Sequence, residues 1–346
     1  MSGKDEQQAF RELHELLESD SFSGVAFVIR EGRPLVEFAG GLSNRQRGQA
    51  IRFDTRFATA SVSKMFTAIC LARLADAGVC RFEQPLIEIV PWLGAHFDRR
   101  ISLAALLSHR SGLGDYLDDE AELPFVGMDV ATLDCPRAFL PHVLQVSRGD
   151  AGGFSYSSAG FVLLGVAIEE LTGMSFPDAM AHWVLDPAGL QSTGFPEMDA
   201  PAEDFALGYL PDGRPNTGHL PRVGGADGGI VTTVADLKRL FNRLRTEGFV
   251  SETARRFLWQ NLGRISEISS YGHGFYLTRV GDEWWPGHTG SDPGVSARVA
   301  FSPKSESSII ILCNGNEMAF RVFRLALDCL QKWHPEGDDK LRPESL

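Results

Sequence analysis

The sequence predicts an α/β protein of the α+β type: an antiparallel sheet built from both chain ends and flanked by helices, with a mostly helical domain inserted between its halves. Strand-like runs occupy residues 24–43 near the start of the chain and residues 282–317 near its end. The stretch between them carries few strand signals and many helix signals. We therefore expect a discontinuous sheet domain at residues 1–78 and 200–346, and an inserted helical domain at residues 79–199.

The elements of the N-terminal part follow from apolar spacing and turn residues. Apolar side chains at positions 10, 13, 16 and 17 recur at helical spacing and predict a surface helix that opens the chain. Residues 24–43 form two β-rich runs around Glu31-Gly32-Arg33, which is typical of a hairpin. A further helix is predicted to begin at Ser61 and to stop at Gly78.

Capping residues and loops define the rest of the chain. Ser102, the pair Ser157-Ser158 and Ser175 each precede an apolar helical run, as N-caps do. The glycine-rich segment 224–229 is interpreted as a flexible turn before a helix capped by Thr233. Residues 282–317 contain three short strand-like runs, and a last amphipathic helix is predicted from residue 318 to about Trp333.

Composition excludes several classes of function. The chain has 346 residues, 43% of them hydrophobic, which is typical of a folded protein of one large or about two domains. A net charge of -12 disfavours phosphate backbones and anionic lipid surfaces, so no nucleic acid and no membrane partner is expected. No apolar run approaches the ~20 residues that span a bilayer. The polar start predicts a cytoplasmic protein, although a chain trimmed of its leader would read the same.

Metal and cofactor motifs are missing from the sequence. There is no P-loop, no G-x-G-x-x-G and no G-x-S-x-G segment. His14-Glu15 begins like a zinc-protease motif, but Glu18 stands where the second histidine is needed. Five cysteines without paired spacing are interpreted as reduced core residues. We therefore predict no metal and no cofactor.

The segment Ser61-Val62-Ser63-Lys64 carries the strongest chemical signal. Residues three apart on a helix are neighbours, so the Lys64 amine is expected to reach the Ser61 hydroxyl. A serine hydroxyl is a poor nucleophile at neutral pH and needs a base, which a desolvated lysine supplies. Alone, this spacing also fits a capping serine followed by a solvated lysine.

Two later motifs give the first one a context. Tyr156-Ser157-Ser158 stands at a loop-to-helix junction, and His288-Thr289-Gly290 stands in a strand signal. In this order the three motifs resemble those of the serine β-lactamase and penicillin-binding-protein superfamily, S-x-x-K, Y-x-N and K-T-G or H-T-G. The tyrosine in the second motif is similar to that of class C β-lactamases, D-stereospecific peptidases and amidases, and related esterases. The resemblance covers nearly the whole chain and implies a β-lactamase/transpeptidase-like fold.

This resemblance implies a role for each motif residue. Ser61 would be the acylated nucleophile, and Lys64 and Tyr156 would share its proton. The backbone amides of Ser61 and Ser291 would form the oxyanion hole.

The third motif would form the strand edge that binds the substrate. His288 and Thr289 would face the pocket, and Gly290 would let the substrate backbone approach. By contrast, His109 is interpreted as a structural residue that ties a helix end.

Two positions depart from the pattern of efficient β-lactamases. Ser158 stands in place of asparagine, and its hydroxyl is shorter than a carboxamide. His288 stands where a lysine would hold a substrate carboxylate, and an imidazole with an unperturbed pKa near ~6.5 replaces a permanent cation, so KM for carboxylate substrates is expected to rise as the pH climbs through this titration. We therefore expect ester turnover to exceed β-lactam turnover, with Ser158 and His288 still contacting substrate.

The predicted function is that of a serine hydrolase with an acyl-enzyme intermediate. Its substrates are expected to be small esters or amides, in the manner of an esterase or of a D-amino-acid peptidase or amidase. Two alternatives use the same motifs: a transacylase that passes the acyl group to an amine or alcohol, and a sensor or binding protein that is acylated without turnover. Acceptor competition separates the first alternative, and turnover after a burst separates the second.

Overall fold

The computed structural model describes residues 3–19, 21–117, 123–199, 202–315 and 318–332. Some predicted positions lie outside these residues, namely the domain boundary at residue 200, residues 316–317 of the last strand-rich segment, and Trp333.

The strands come from the two ends of the chain, as predicted. They are β1 (Gly24–Arg30), β2 (Arg33–Gly40), β3 (Leu42–Asn44), β4 (Gln49–Ala50), β5 (Phe57–Ala58), β6 (Val231–Thr232), β7 (Ser269–Tyr271), β8 (Tyr276–Val280), β9 (Glu283–Asp292), β10 (Val295–Phe301) and β11 (Ser308–Cys313). Seven of them form one antiparallel sheet in the order β2-β1-β11-β10-β9-β8-β7. The short pairs β3-β4 and β5-β6 stand apart from it.

Strands β4 to β8 are absent from the sequence-based prediction, and two of them, β7 and β8, belong to the large sheet. Both are short, and Gly272 and Gly274 interrupt the chain between them. Strand β8 pairs with β9, with Tyr276 opposite Gly287 and Val280 opposite Glu283, and β7 pairs in turn with β8.

The helices occupy both faces of the large sheet. They are α1 (Gly3–Leu17), α2 (Ser63–Asp76), α3 (Leu86–Ile89), α4 (Leu103–Leu107), α5 (Leu140–Val143), α6 (Ser158–Thr172), α7 (Phe176–Met180), α8 (Asp186–Ala188), α9 (Val234–Arg245), α10 (Glu252–Leu258) and α11 (Met318–Lys332). No described strand falls within residues 79–199, in keeping with the predicted helical insertion. The division into two domains stays a prediction.

The sheet is buried on both sides, and the two-residue repeat of its strands sorts the core. Val25 and Phe27 of β1 pack into the larger apolar cluster, which contains α2 and α6. Ala26 and Val28 point to the other face and pack with α1 and α11. No described single helix is long and apolar enough to cross a bilayer, and the one pair that passes by composition, α6 with the following helical segment, is bent by 76°.

Candidate active site

Ser61 lies in a short 3₁₀ turn, Ala60–Val62, that leads directly into α2. Ala60 adopts φ +49°, a left-handed conformation that costs a non-glycine residue about 1–3 kcal/mol. Neighbouring backbone holds the turn in place, because Thr59 N–H donates to Ile230 O at 3.0 Å and Gly229 N–H to Ala60 O at 3.2 Å. Ser61 is thereby fixed at the junction of strand β5 and helix α2.

The Lys64 amine reaches Ser61 within the first turn of α2. Its Nζ atom lies 3.0 Å from Ser61 Oγ, 3.2 Å from Ser158 Oγ and 2.6 Å from the Asp227 carbonyl oxygen. The side chain is fully buried, and burial lowers the pKa of Lys64, while negative charge on Asp227 opposes this shift without cancelling it. A buried amine with a lowered pKa is suited to take a proton from the hydroxyl beside it.

Tyr156 and Ser158 stand on either side of the cap that begins α6. Ser157 is that cap, and its Oγ accepts the Gly160 N–H at 3.2 Å. The Tyr156 ring centroid lies 5.0 Å from Lys64 Nζ. The structure therefore brings Ser61, Lys64, Tyr156 and Ser158 together.

Asp115 is a site residue that the sequence-based prediction missed. Its carboxylate accepts the Ser158 N–H at 2.7 Å and the Ala159 N–H at 3.3 Å. A carboxylate at the positive end of a helix is stabilising, so Asp115 helps to hold the start of α6 beside Lys64.

His288 lies on β9 but is only 1% exposed, with both ring nitrogens in hydrogen bonds. Nε2 is 3.1 Å from the Tyr271 hydroxyl, and Nδ1 is 2.6 Å from the Thr289 carbonyl oxygen. Burial, aided by the charge of Lys64, lowers the pKa of His288 to about 3. The expectation of an imidazole that titrates near ~6.5 is therefore wrong, because the ring is buried and burial disfavours its charged form.

The structure gives a second reason for glycine at position 290, and the predicted approach of a substrate backbone stays a prediction. A Cβ at this position would lie 2.0 Å from the Thr59 carbonyl oxygen and 3.2 Å from the Ala60 Cβ. The turn that carries Ser61 therefore fills the space beside Gly290. Thr289 and Ser291 lie beyond Gly287, the last residue of β9 that pairs with β8. Thr289 is half-buried and pairs with Arg298 of β10, and Ser291 is exposed and pairs with Ser296 of β10.

A mainly apolar pocket opens beside Ser61. Its apolar lining includes Leu117, Phe125, Phe139, Met198 and Leu220, and its polar lining includes Tyr116, Asp227 and Asp292. No basic residue belongs to the described lining, and Lys64 lies outside it, 3.0 Å from Ser61 Oγ.

The glycine-rich segment 224–229 forms one wall of this pocket. The predicted flexible turn is held in place, because Lys64 donates to the Asp227 carbonyl and Thr67 donates to the Ala226 carbonyl, each at 2.6 Å. The Tyr116 hydroxyl donates to Asp227 Oδ2 at 2.7 Å, and burial raises the pKa of Asp227. In the sequence, the aspartate among these glycines is the signal that could have indicated a site residue.

The predicted cap of the helix that follows this segment is confirmed, since Thr233 Oγ1 accepts the Asp236 N–H at 3.2 Å.

Comparisons with known proteins agree with this architecture. The profile of the beta-lactamase family matches residues 8–328. Penicillin-binding protein 4 of Amycolatopsis lactamdurans is 30% identical over 317 residues, covering 84% of this chain and 81% of that protein. Esterase EstB of Burkholderia gladioli is 32% identical over 204 residues, covering 55% of this chain and 50% of the esterase.

A solved structure gives the same result for the fold. The penicillin-binding protein from Bacillus halodurans superposes with a TM-score of 0.82 at 30% identity, covering 90% of this chain and 98% of that one. The antiparallel sheet with flanking helices and the resemblance drawn from the three motifs are thus both confirmed. The chain belongs to the beta-lactamase family of serine hydrolases.

Proposed function

We propose that this protein hydrolyses small esters or amides through an acyl-enzyme on Ser61, as an esterase or a D-amino-acid peptidase or amidase, with weak or no β-lactamase activity. One observation carries the proposal: Ser61 Oγ lies 3.0 Å from the amine of fully buried Lys64, at the edge of an apolar pocket.

Acylation begins with proton removal from Ser61. Its Oγ attacks the substrate carbonyl carbon while the proton passes to Lys64, a transfer favoured because burial lowers the pKa of this amine. The carbonyl electron pair moves onto oxygen, where the backbone N–H groups of Ser61 and Ser291 stabilise the negative charge. The tetrahedral intermediate then collapses, and the leaving alcohol or amine takes a proton from the pair formed by Lys64 and Tyr156.

Deacylation repeats these steps with water as the nucleophile. The pair Lys64 and Tyr156 removes a proton from water, the hydroxyl attacks the acyl-ester carbon, and Ser61 Oγ leaves with the returned proton. The short distance from Lys64 Nζ to both Ser61 Oγ and Ser158 Oγ keeps the amine in place through both halves of the reaction.

The charge of the pocket supports uncharged or cationic substrates over carboxylates. A substrate carboxylate bound here would lie among the carboxyl groups of Asp227 and Asp292, with His288 neutral behind the strand. Like charges repel each other, and more strongly where burial lowers the effective dielectric constant. Penicillins and cephalosporins carry such a carboxylate, whereas simple esters and amino-acid amides do not.

A panel of substrates tests the proposal. The purified protein is assayed on p-nitrophenyl esters of increasing length, on D- and L-alanine p-nitroanilides, and on a chromogenic cephalosporin, with Ser61→Ala as the blank. Ser266→Ala, which changes an exposed serine, is the matched control and should retain activity. We expect turnover of an ester or an anilide to exceed that of the cephalosporin, and faster cephalosporin turnover would contradict the substrate assignment.

Labelling identifies the nucleophile. A fluorophosphonate probe should add one mass increment to the peptide that contains Ser61, and tandem mass spectrometry should assign it to this residue rather than to buried Ser63. Labelling elsewhere would overturn the role of Ser61. A stable acyl-enzyme without turnover would support the sensor alternative, and product diverted to an added alcohol or amine would support acyl transfer.

A further inference from the structure

Behind the site, four hydrogen bonds join the helix side of the pocket to the sheet side. The Ser157 N–H donates to His109 Nδ1 at 3.1 Å, and His109 Nε2 lies 3.0 Å from the Tyr271 hydroxyl. Tyr271 lies 3.1 Å from His288 Nε2, and His288 Nδ1 lies 2.6 Å from the Thr289 carbonyl oxygen. His109, Ser157, Tyr271 and His288 are each at most 2% exposed.

The groups at the two ends of this hydrogen-bonded chain determine the position of every proton in it. A backbone N–H only donates, so His109 Nδ1 accepts, and the neutral ring carries its proton on Nε2 and donates to Tyr271. A carbonyl oxygen only accepts, so His288 carries its proton on Nδ1 and accepts the Tyr271 O–H at Nε2. The single hydroxyl of Tyr271 thus accepts one hydrogen bond and donates the other.

His109 holds both neighbours of Tyr156. The Ser155 N–H donates to the His109 carbonyl at 2.9 Å, and the Ser157 N–H donates to the ring of the same residue. The His109 ring also packs on the Tyr156 ring, with centroids 4.3 Å apart. His109 adopts φ +56°, a conformation that is rare outside glycine and that places its backbone and ring against the same loop.

At its other end the chain holds the strand of the third motif. His288 lies two residues before Gly290, whose Cα rests against the turn that carries Ser61. The hydrogen bonds therefore connect the loop bearing Tyr156 with the strand bearing Ser291.

We propose that Tyr271 is a positioning residue for the reaction. Its hydroxyl, through His109 and His288, fixes the distance between Tyr156 and strand β9, whose Ser291 N–H is a donor of the oxyanion hole. In this arrangement His288 is a link in the chain and does not contact substrate. The kinetic part of this inference rests on the proposed function, whereas the proton positions do not.

Tyr271→Phe tests the kinetic part. It removes one hydroxyl and keeps the ring, which packs against Tyr276 at 4.8 Å and Phe154 at 5.5 Å. We expect kcat on a short p-nitrophenyl ester to fall at least about tenfold with KM within about threefold, because misplaced groups act mainly in the transition state.

The matched control is Tyr209→Phe. Tyr209 is also buried, and its hydroxyl accepts the Arg45 N–H at 2.6 Å, outside the residues that line the pocket. This variant should keep kcat within about twofold of the wild type. A Tyr271→Phe protein with normal kcat, or with a change in KM alone, would overturn the positioning role.

A measurement on the wild-type protein tests the chain even if the variant fails to fold. Long-range ¹H–¹⁵N spectra at pH 7 should show two neutral imidazoles in opposite tautomers, protonated on Nε2 for His109 and on Nδ1 for His288. A charged ring or the reverse tautomer at either position overturns the inference. If the wild type turns over no ester or amide while the tautomers are as expected, the proposed function fails separately from the hydrogen-bonded chain.

Discussion

Gly290→Ala is expected to separate the third-motif strand from the turn that carries the nucleophile. The new Cβ would lie 2.0 Å from the Thr59 carbonyl oxygen, about 1.4 Å short of the 3.4 Å at which ordinary contact begins. Thr59 cannot yield alone, because its carbonyl accepts the Val62 N–H at 3.1 Å and so belongs to the turn around Ser61. The clash therefore displaces either Ser61 or strand β9.

The displacement of Ser61 or of strand β9 determines how much activity and stability the Gly290→Ala protein loses. A misplacement of about 1 Å costs an enzyme on the order of 10²-fold in rate, which corresponds to about 2.7 kcal/mol of activation free energy. The free energy of unfolding should fall by about 1–3 kcal/mol, the usual result of overpacking a tight site. A folded protein with a large loss of activity is thus the expected outcome.

The assay compares kcat/KM on a short p-nitrophenyl ester with the free energy of unfolding from urea titration. Gly94→Ala is the control, because Gly94 has no positive φ and a Cβ there meets no atom within 4 Å. We expect the control to keep its activity within about twofold. A folded Gly290→Ala protein with kcat/KM within about threefold of the wild type would refute the reasoning, since strand and turn would then tolerate separation.

Three further predictions concern the base, the second motif and acid stability. Lys64→Ala and Tyr156→Phe should each lower kcat at least about 10²-fold, and the double variant should cost little more than the worse single one, which steady-state kinetics of the cycle would check. Ser158→Asn should raise anilide or cephalosporin turnover relative to ester turnover, because a carboxamide reaches further than a hydroxyl that already lies 3.2 Å from Lys64 Nζ; an unchanged ratio would contradict this. Burial lowers the pKa of His288 to about 3 and that of His273 to about 4 in the folded protein, whereas both imidazoles titrate near ~6.5 in the unfolded chain. At pH values between the folded and unfolded pKa, these imidazoles therefore bind protons only in the unfolded chain. The free energy of unfolding should therefore decrease as the pH falls below ~6.5, by up to about 1.4 kcal/mol per imidazole and pH unit, and His273→Asn should reduce that slope in urea titrations at pH 7.5 and 5.

The sequence was informative wherever a local rule applied. The apolar runs of β1, β10 and β11 and the serine caps of α4, α6 and α7 follow from residue type and spacing alone. The same holds for the distance from Ser61 to Lys64, because one turn of helix or 3₁₀ structure brings residues three apart together.

The features that could not be predicted from the sequence depend on contacts between segments that are distant in the chain. Tyr116 and Asp227 are 111 residues apart, and their hydrogen bond defines a pocket wall that no local pattern predicts. The pKa of His288 follows from its burial against Tyr271 and Tyr276, and residue identity gives only the unperturbed value. Gly290 was recognised as necessary, but its neighbour in space, Thr59, lies far away in the chain.

The pairing of β1 with β11 also constrains how the protein is made. Gly24 lies opposite Cys313, and Ile29 opposite Ser308, so two neighbouring strands of the sheet come from segments that are far apart in the sequence and are synthesised at different times. At about 5–20 residues per second, β1 waits roughly tens of seconds for this partner with one apolar edge unpaired. Such an edge is a template for association with other chains, so chaperone dependence and aggregation during expression should concentrate on nascent chains that end before residue 308.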